Sequence, residues 1–497
     1  MAFTSMALLT RSLRALTIAP SIVRCQCSSS SDSGSRSGRG DFTRRIKKEL
    51  EAKNPFHVPE RAEFANPNRP PSEADVVIIG GGIVGSSIAY HLTREAEAGL
   101  NVLVVEKDNT YTRAATTLSV GGIRQQFSIQ ANVEMSMYGS QFIKTIKEHL
   151  CVDDADPPDI QFNQSGYLLL ASEEGVDQLV ESHKMQRECG AQVELLTAKQ
   201  LSNKFPWLNT SDLAMGSFGF ENEGWFDPWS LLKAFKEKAL SLGATYVNAE
   251  VTGFGIDKVP KAGAEMAYYT GSGRRVKTVE IQLPNSPETV PVKASLVVLA
   301  AGPWSGQVAE LLDIGRGTAE DLLDVGLPVW PRKRFAYVVH APDGPGLDCP
   351  LVIDNSGVYF RREGLGGNYV CGRSPPREVE EPSIDDMQID YDFFNEHIWP
   401  IMAQRVPAFE NLKVKSAWAG FYDYNTLDQN AIVGIHPAYP NLYMATGFSG
   451  HGLQHAPAAG MAISDLILQG KFCTLDLSSL SFDRVMQNQP MPEKKIF

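Results

Sequence analysis

The chain has no C-x-x-C pair, no excess of basic charge and no long unbroken apolar run. Its seven cysteines (Cys25, Cys27, Cys151, Cys189, Cys349, Cys371 and Cys473) are scattered. That scatter argues against a structural zinc or an iron–sulfur cluster, so no metal is expected, and it fits a reducing compartment. The five beyond the N-terminal segment read as buried free thiols. Lysine and arginine number 46 against 58 acids, a net charge of −12. A surface of that sign disfavours nucleic acid as the main partner, because phosphate binding needs basic charge. No apolar stretch approaches the roughly 20 residues of a membrane span. What remains is ordinary globular composition, 43% hydrophobic and 21% charged, in 497 residues, which is too long for one simple core.

The first 40 residues differ from the rest. They carry Arg11, Arg14, Arg24, Arg36 and Arg39 against one acid, Asp32. Leu8, Leu9, Leu13 and Leu16 lie near one helical face, and a Ser/Gly-rich stretch follows. Arg-rich, acid-poor and amphipathic is the pattern of a mitochondrial transit peptide, so residues 1–40 are expected to target the chain to mitochondria. Residues 41–72, rich in Pro and Asn at their end, read as a linker or arm.

The strongest signal begins at Asp75. A β-branched run, Val76 to Ile79, ends in Gly80-x-Gly82-x-x-Gly85. A helical pattern through Ile88, Ala89 and Leu92 follows, then a short strand, Val102 to Val105, that closes on Glu106. This strand–glycine turn–helix–strand–acid unit binds dinucleotides. Gly80 permits the tight turn, Gly82 lets backbone approach a pyrophosphate at the positive end of the helix, and Gly85 lets helix and strand pack closely. Glu106 is placed to accept hydrogen bonds from a ribose diol. Ile83, Val84 and Lys107 share the same turn and strand end.

Two later turns repeat the strand-into-glycine pattern. Ala294 to Leu299 runs into Ala300-Ala301-Gly302-Pro303-Trp304-Ser305, and Asn441 to Thr446 runs into Gly447-Phe448-Ser449-Gly450-His451-Gly452-Leu453-Gln454, with a helix expected over 456–468. Three such turns so far apart imply that distant parts of the chain hold one cofactor. Asp227-Pro228 is a good helix start and Gly243 a natural stop. Strands dominate from Tyr246 to about Val292, and a long helix is expected over 383–405.

These motifs resemble the D-amino-acid-oxidase-like family of FAD-dependent oxidoreductases, which includes sarcosine oxidase and dehydrogenase, dimethylglycine dehydrogenase and glycine oxidase. The resemblance spans roughly residues 73–485 and rests on the Gly80–Glu106 unit and the two later turns. It implies an α/β and α+β fold: a Rossmann-like, discontinuous FAD-binding domain (73–165, 225–320 and 415–485), a mostly antiparallel-sheet substrate or cap domain (166–224 and 321–414) and a C-terminal tail (486–497). By resemblance, Gly80, Gly82, Gly85 and Glu106 hold the ADP half of FAD. Ala301, Gly302 and Trp304 pass close to the cofactor, and Gly447, Gly450, His451, Gly452 and Leu453 lie beside the isoalloxazine.

The departures from the family pattern carry information too. Phe421 and Ser119 stand where relatives attach FAD covalently, so non-covalent FAD is expected. Arg124 keeps the family's flavin-facing arginine, but Phe127 and Gln454 replace its two carboxylate ligands. A bidentate Arg–carboxylate contact is hard to replace with either. Arg124, His451, Tyr359 and Arg361 are the catalytic candidates; Tyr422 and Tyr424 are candidate flavin walls, and Arg332, Lys333 and Arg334 read as solvated charges. The Arg-rich N-terminus extends the resemblance to a mitochondrial family member linked to assembly of respiratory complex I. It implies complex I subunits or assembly intermediates as partners, in the matrix and peripheral to the inner membrane. An amine or amino-acid dehydrogenase and an NAD dehydrogenase are the competing readings; the two later glycine turns disfavour the latter.

Overall fold

The strand Glu73–Ile79 is buried on both faces: Val76 and Ile78 enter one apolar cluster, Val77 and Ile79 another. Such a strand needs cover on both sides, which a parallel sheet between layers provides. It lies at the centre of a sheet ordered Ile432–His436, Tyr439–Thr446, Thr289–Leu299, Glu73–Ile79, Val102–Glu106, Thr245–Asn248. Its neighbours Thr289–Leu299 and Val102–Glu106 both run parallel to it, as Tyr439–Thr446 does to Thr289–Leu299. An antiparallel ribbon, Glu250–Lys258 with Arg274–Gln282, pairs with the early half of Thr289–Leu299. The computed structural model describes residues 70–96, 99–153, 155–258, 273–318 and 321–494. The expected targeting segment and nearly all of the expected arm lie outside them.

On one side of this sheet, the helix Ile83–Glu95 packs against Gly452–Gln469 and Pro228–Ser241. A Cβ on Gly460 would meet the Ser87 side chain at 2.2 Å, so the first two helices approach closely only because that residue is glycine. Pro228–Ser241 starts as expected, with the Asp227 carboxylate accepting from the Ser230 N–H at 2.9 Å.

The second sheet is ordered Lys413–Asn425, Val329–His340, Asn368–Gly372, Tyr359–Glu363, Leu351–Ile353, Tyr167–Ala171, Met215–Gly219, Val193–Thr197. Its pairings are antiparallel except that of Leu351–Ile353 with Tyr167–Ala171. The mixed α/β and α+β class expected from the sequence is the one observed. Lys413–Asn425 is one continuous edge strand of this second sheet, so residues 415–425 lie in it and not in the parallel sheet.

Four local expectations are corrected. The long helix over 383–405 is two short ones, Tyr391–His397 and Trp399–Arg405. Pro400 lacks the N–H a continuous helix would use, and the first helix begins only where Asp390 accepts from the Phe393 N–H at 2.9 Å. The helix expected from 456 starts at Gly452, so His451 is its cap and the glycine turn runs straight into it. Lys333 is buried and pairs with Asp386 at 2.8 Å, and Arg334 bonds Glu381, so the basic triplet is not a solvated patch. Of the five cysteines, only Cys349 and Cys371 are buried; Cys473 is exposed.

Candidate functional site

The three glycine turns meet. They leave the carboxyl ends of three adjacent parallel strands, Glu73–Ile79, Thr289–Leu299 and Tyr439–Thr446, where open α/β sheets place their ligands. The Ala300 N–H donates to Ile79 O at 2.9 Å, and Gly80, at φ +101, passes so near that a Cβ would sit 2.3 Å from Ala300 O. Thr446 Oγ1 donates to Ser305 Oγ at 2.7 Å, tying the third turn to the second. Above them opens a cavity of about 1620 Å³, roofed by the second sheet.

One end of the cavity has the form that an ADP moiety requires. Gly85 is packed, since a Cβ there would meet Gly80 O at 1.9 Å, whereas a Cβ on Gly82 would meet only Thr116 Oγ1, at 3.3 Å. Gly82 therefore faces open space over the start of Ile83–Glu95, where as N-cap it brings no side chain of its own. Thr116 accepts the Ile83 N–H at 3.1 Å. Glu106 takes the Gly81 N–H at 2.7 Å and the Asp108 N–H at 2.9 Å. Burial raises its pKa, and the two N–H groups oppose that. Each carboxylate oxygen keeps a lone pair toward the cavity, which suits a ribose diol. Lys107 lines the same end and pairs with Glu250 at 2.7 Å.

The other end is aromatic and basic. Trp304 meets Phe421 edge to face at 5.6 Å, with the Arg113 guanidinium over both rings. Trp418 donates to Leu118 O at 2.8 Å and fixes the stretch that carries Ser119. Arg124 donates from its backbone to Gln454 Oε1 at 2.7 Å and from Nη1 to Gln126 O at 2.9 Å; Nη2 lies 3.4 Å from His451 Nε2. Its guanidinium rests 4.4 Å from the centre of the Phe127 ring. Burial, and then the Arg124 charge, push His451 well below the ordinary histidine pKa, so it is neutral and can accept from Arg124. Tyr359, Tyr422 and Tyr167 face the cavity from the roof, their phenols raised by burial (Tyr167 to about 12) and so neutral.

Among the residues named from the sequence, Gly80, Gly82, Ile83, Val84, Glu106, Lys107, Arg124, Ala301, Gly302, Trp304, Gly450, His451, Gly452, Leu453 and Tyr359 line the cavity. Gly85 and Gly447 support it from behind: Gly447, at φ +75, leaves room for Val329. Arg361 does not face it. Its guanidinium donates to Val120 O at 2.9 Å, pairs with Glu363 and packs on Trp225, so it braces the wall. His451 and His455 are four apart on one helix, but His455 turns to Ser136 Oγ at 3.0 Å.

Sequence reasoning missed Thr116, Asp423 and the C-terminal segment. Asp423 is buried, and burial raises its carboxyl to about 6 although it accepts the Phe448 N–H at 2.9 Å; it thereby anchors the Gly447–Gly450 turn. Pro492, Glu493 and Lys494 line the cavity. Glu493 accepts from Ser128 N at 2.6 Å and from Asn132 Nδ2 at 2.5 Å, at the start of the helix Gln130–Lys144. The tail's position could not be read from sequence, because its contacts are all long-range.

A family model described as FAD dependent oxidoreductase (DAO) matches residues 75–466. FAD-dependent oxidoreductase domain-containing protein 1 of Xenopus laevis is 57% identical over 429 residues, 86% of this chain and 85% of that one. Mitochondrial dimethylglycine dehydrogenase of Mus musculus is 25% identical over 430 residues, 82% of this chain but only 44% of its own length. Among solved structures, L-proline dehydrogenase from P. horikoshii superposes with a TM-score of 0.69 at 26% identity, covering 85% of this chain and all of that one. The cofactor that this family and this cavity share is FAD. With its three glycine turns on one parallel sheet and a match that spans most of its length, the chain belongs to the FAD dependent oxidoreductase family.

Proposed function

We propose that this chain is a mitochondrial flavoprotein that supports assembly of respiratory complex I, with a flavin site kept intact and a substrate grip given up. The arrangement around Arg124 carries the reading. The two positions that the sequence resemblance assigns to carboxylate ligands hold Phe127, its ring centre 4.4 Å from the guanidinium, and Gln454, whose side-chain oxygen is taken by the Arg124 backbone N–H. Neither can form a charge-assisted pair with an amino-acid carboxylate. The complex I link rests on the resemblance to a mitochondrial family member so linked, and the matrix location on the Arg-rich, acid-poor N-terminus.

In a cell lacking the protein, assembled complex I should fall, as read on native gels. Arg124→Lys, if it keeps FAD, should restore it about as well as the wild type; a chain without residues 1–40 should stay in the cytosol and restore nothing. An FAD-replete Arg124→Lys protein that fails to rescue would show that turnover is needed.

A second reading is an active dehydrogenase of amines or amino-acid-like substrates. It is supported by the likeness to two proteins named dehydrogenases and by a cavity large enough for a substrate beside the cofactor. Bound FAD would then supply a hydride acceptor, at flavin N5, for a C–H next to N or O. The chain's own part would be positioning: the Arg124 guanidinium and the neutral His451 on one wall and neutral tyrosines on the roof. Anaerobic bleaching with sarcosine, dimethylglycine and proline separates the readings; fast bleaching by any of them favours the enzyme.

Non-covalent FAD is part of the proposal. Ser119 Oγ accepts the Gly121 N–H at 3.2 Å, and Phe421 presents only a ring. Acid precipitation should release the yellow colour into the supernatant. Flavin that stays with the pellet would mean a covalent link elsewhere.

A further inference from the structure

Behind the cavity wall lies a carboxylate that none of the roles above uses. Glu223 is fully buried. One of its oxygens accepts the Gln125 N–H at 2.8 Å, and the other accepts Gln126 Nε2 at 2.8 Å. The next two residues, Gly224–Trp225, pair antiparallel with Gly122–Ile123, Trp225 opposite Gly122 and Gly224 opposite Ile123. Residues before Arg124 are thus held by backbone pairing, and the two after it by one side chain. The bracket reaches the guanidinium, because Arg124 Nη1 donates to the backbone oxygen of the same Gln126.

The pocket for this carboxylate is specific. A Cβ on Gly219 would stand 2.1 Å from it, so the roof strand Met215–Gly219 must end in glycine to admit it. The backbone oxygen of Glu223 accepts the Gly166 N–H at 3.2 Å, and Gly166 and Gly224 sit at φ +86 and +149, which only glycine adopts without strain. Burying a carboxylate is costly unless hydrogen bonds compensate. The charged and titratable groups that face Glu223 are Arg124 and Tyr167. Gln126 Nε2 also donates to Tyr167 O at 2.9 Å, so roof and wall meet here.

We propose that Glu223 is a positioning residue: its carboxylate fixes Arg124 in the cavity wall, and protonation of that carboxylate loosens Arg124. A proton from the solvent adds to one oxygen, which then becomes a donor, and the bonds from Gln125 and Gln126 lose their charge assistance and weaken. Burial raises the Glu223 carboxyl to about 7, against the pull of Gln126, Gln125 and Arg124, so the step falls where cellular pH varies.

The test uses the FAD-bound full chain, with the visible spectrum of the flavin recorded between about pH 5.5 and 8.5. Wild-type protein should show a spectral shift with a midpoint near neutrality, and an infrared carboxyl C=O band that grows as pH falls. Glu223→Gln should lose both and keep a constant spectrum. Gly219→Ala keeps the carboxylate but takes its room, and should lose the midpoint likewise. Arg124→Lys should keep the infrared band and lose the flavin shift, because the message passes through the guanidinium. A wild-type spectrum that does not move overturns the proposal, as does a flavin midpoint unchanged in Gly219→Ala or Arg124→Lys. The wild-type and Arg124→Lys arms decide the matter even if Glu223→Gln does not fold.

Discussion

Gly82→Val should fold and come out without FAD. A Cβ there meets no backbone: the atom nearest to it is Thr116 Oγ1, at 3.3 Å, and Gly82 lines the cavity where a pyrophosphate would lie over the helix start. Affinity for FAD should fall at least about 100-fold, which removes about 2.7 kcal/mol or more of ligand-linked stability under conditions where the wild type is saturated. The comparison that gives this meaning is Gly80→Ala. There the Cβ would strike Ala300 O at 2.3 Å from a residue at φ +101, so the damage is to the sheet itself and added FAD should not restore it. Flavin fluorescence after gel filtration and thermal denaturation with and without added FAD separate the two. Full flavin occupancy in Gly82→Val would displace the pyrophosphate from this turn. Glu106→Gln should weaken binding less, because an amide oxygen still accepts from Gly81 N.

Arg484→Met should be the most destabilising single change away from the glycine turns. Arg484 and Asp428 are both buried and pair at 2.7 Å. The guanidinium also serves the carbonyls of Leu480, Asn430 and Ala431, and Asp428 accepts from Asn425 Nδ2, Asn430 N and Met491 N. Removing the cation leaves a carboxylate buried without its charge partner, a loss of about 3–5 kcal/mol. Because Asn425 N donates to Ser449 Oγ at 2.9 Å, the loss should spread to the Gly447–Gly450 turn. Urea denaturation of the holoprotein should show a lower midpoint with an unchanged slope. Replacing both partners, as Arg484→Met with Asp428→Leu, should recover part of the loss, because no charge is then stranded.

The nucleotide unit was legible because its causes are local: a β-branched run, glycines at fixed offsets and an acid at the next strand's end each act within a few residues. The convergence of the other two turns was legible only through the pattern they repeat. What the sequence hid depends on packing between distant segments. Glu223 is one of two acids in Glu221–Glu223, and only the room left by Gly219 and the donors of Gln125 and Gln126 distinguish it from a solvated one. Lys333 looked like a surface charge because Asp386, its partner, is far along the chain. Arg361 alternates on its strand as a cavity-facing residue would, yet Val120 O and Glu363 draw its guanidinium aside. The helix over 383–405 failed at two places: it starts only after the Asp390 cap, and Pro400 interrupts it.

The parallel sheet brings Glu73–Ile79 and Tyr439–Thr446 to either side of one strand, Thr289–Leu299. The glycine turn after Glu73–Ile79 has its packing helix Gly452–Gln469 and part of its cavity wall, Pro492–Lys494, supplied from more than 350 residues later in the sequence. A chain emerging or threading amino-end first therefore carries its nucleotide fingerprint for most of its passage with nothing to close around. Cofactor loading must wait for these later segments, and a chain truncated before Gly452–Gln469 should carry the recognisable motif and hold no flavin at all.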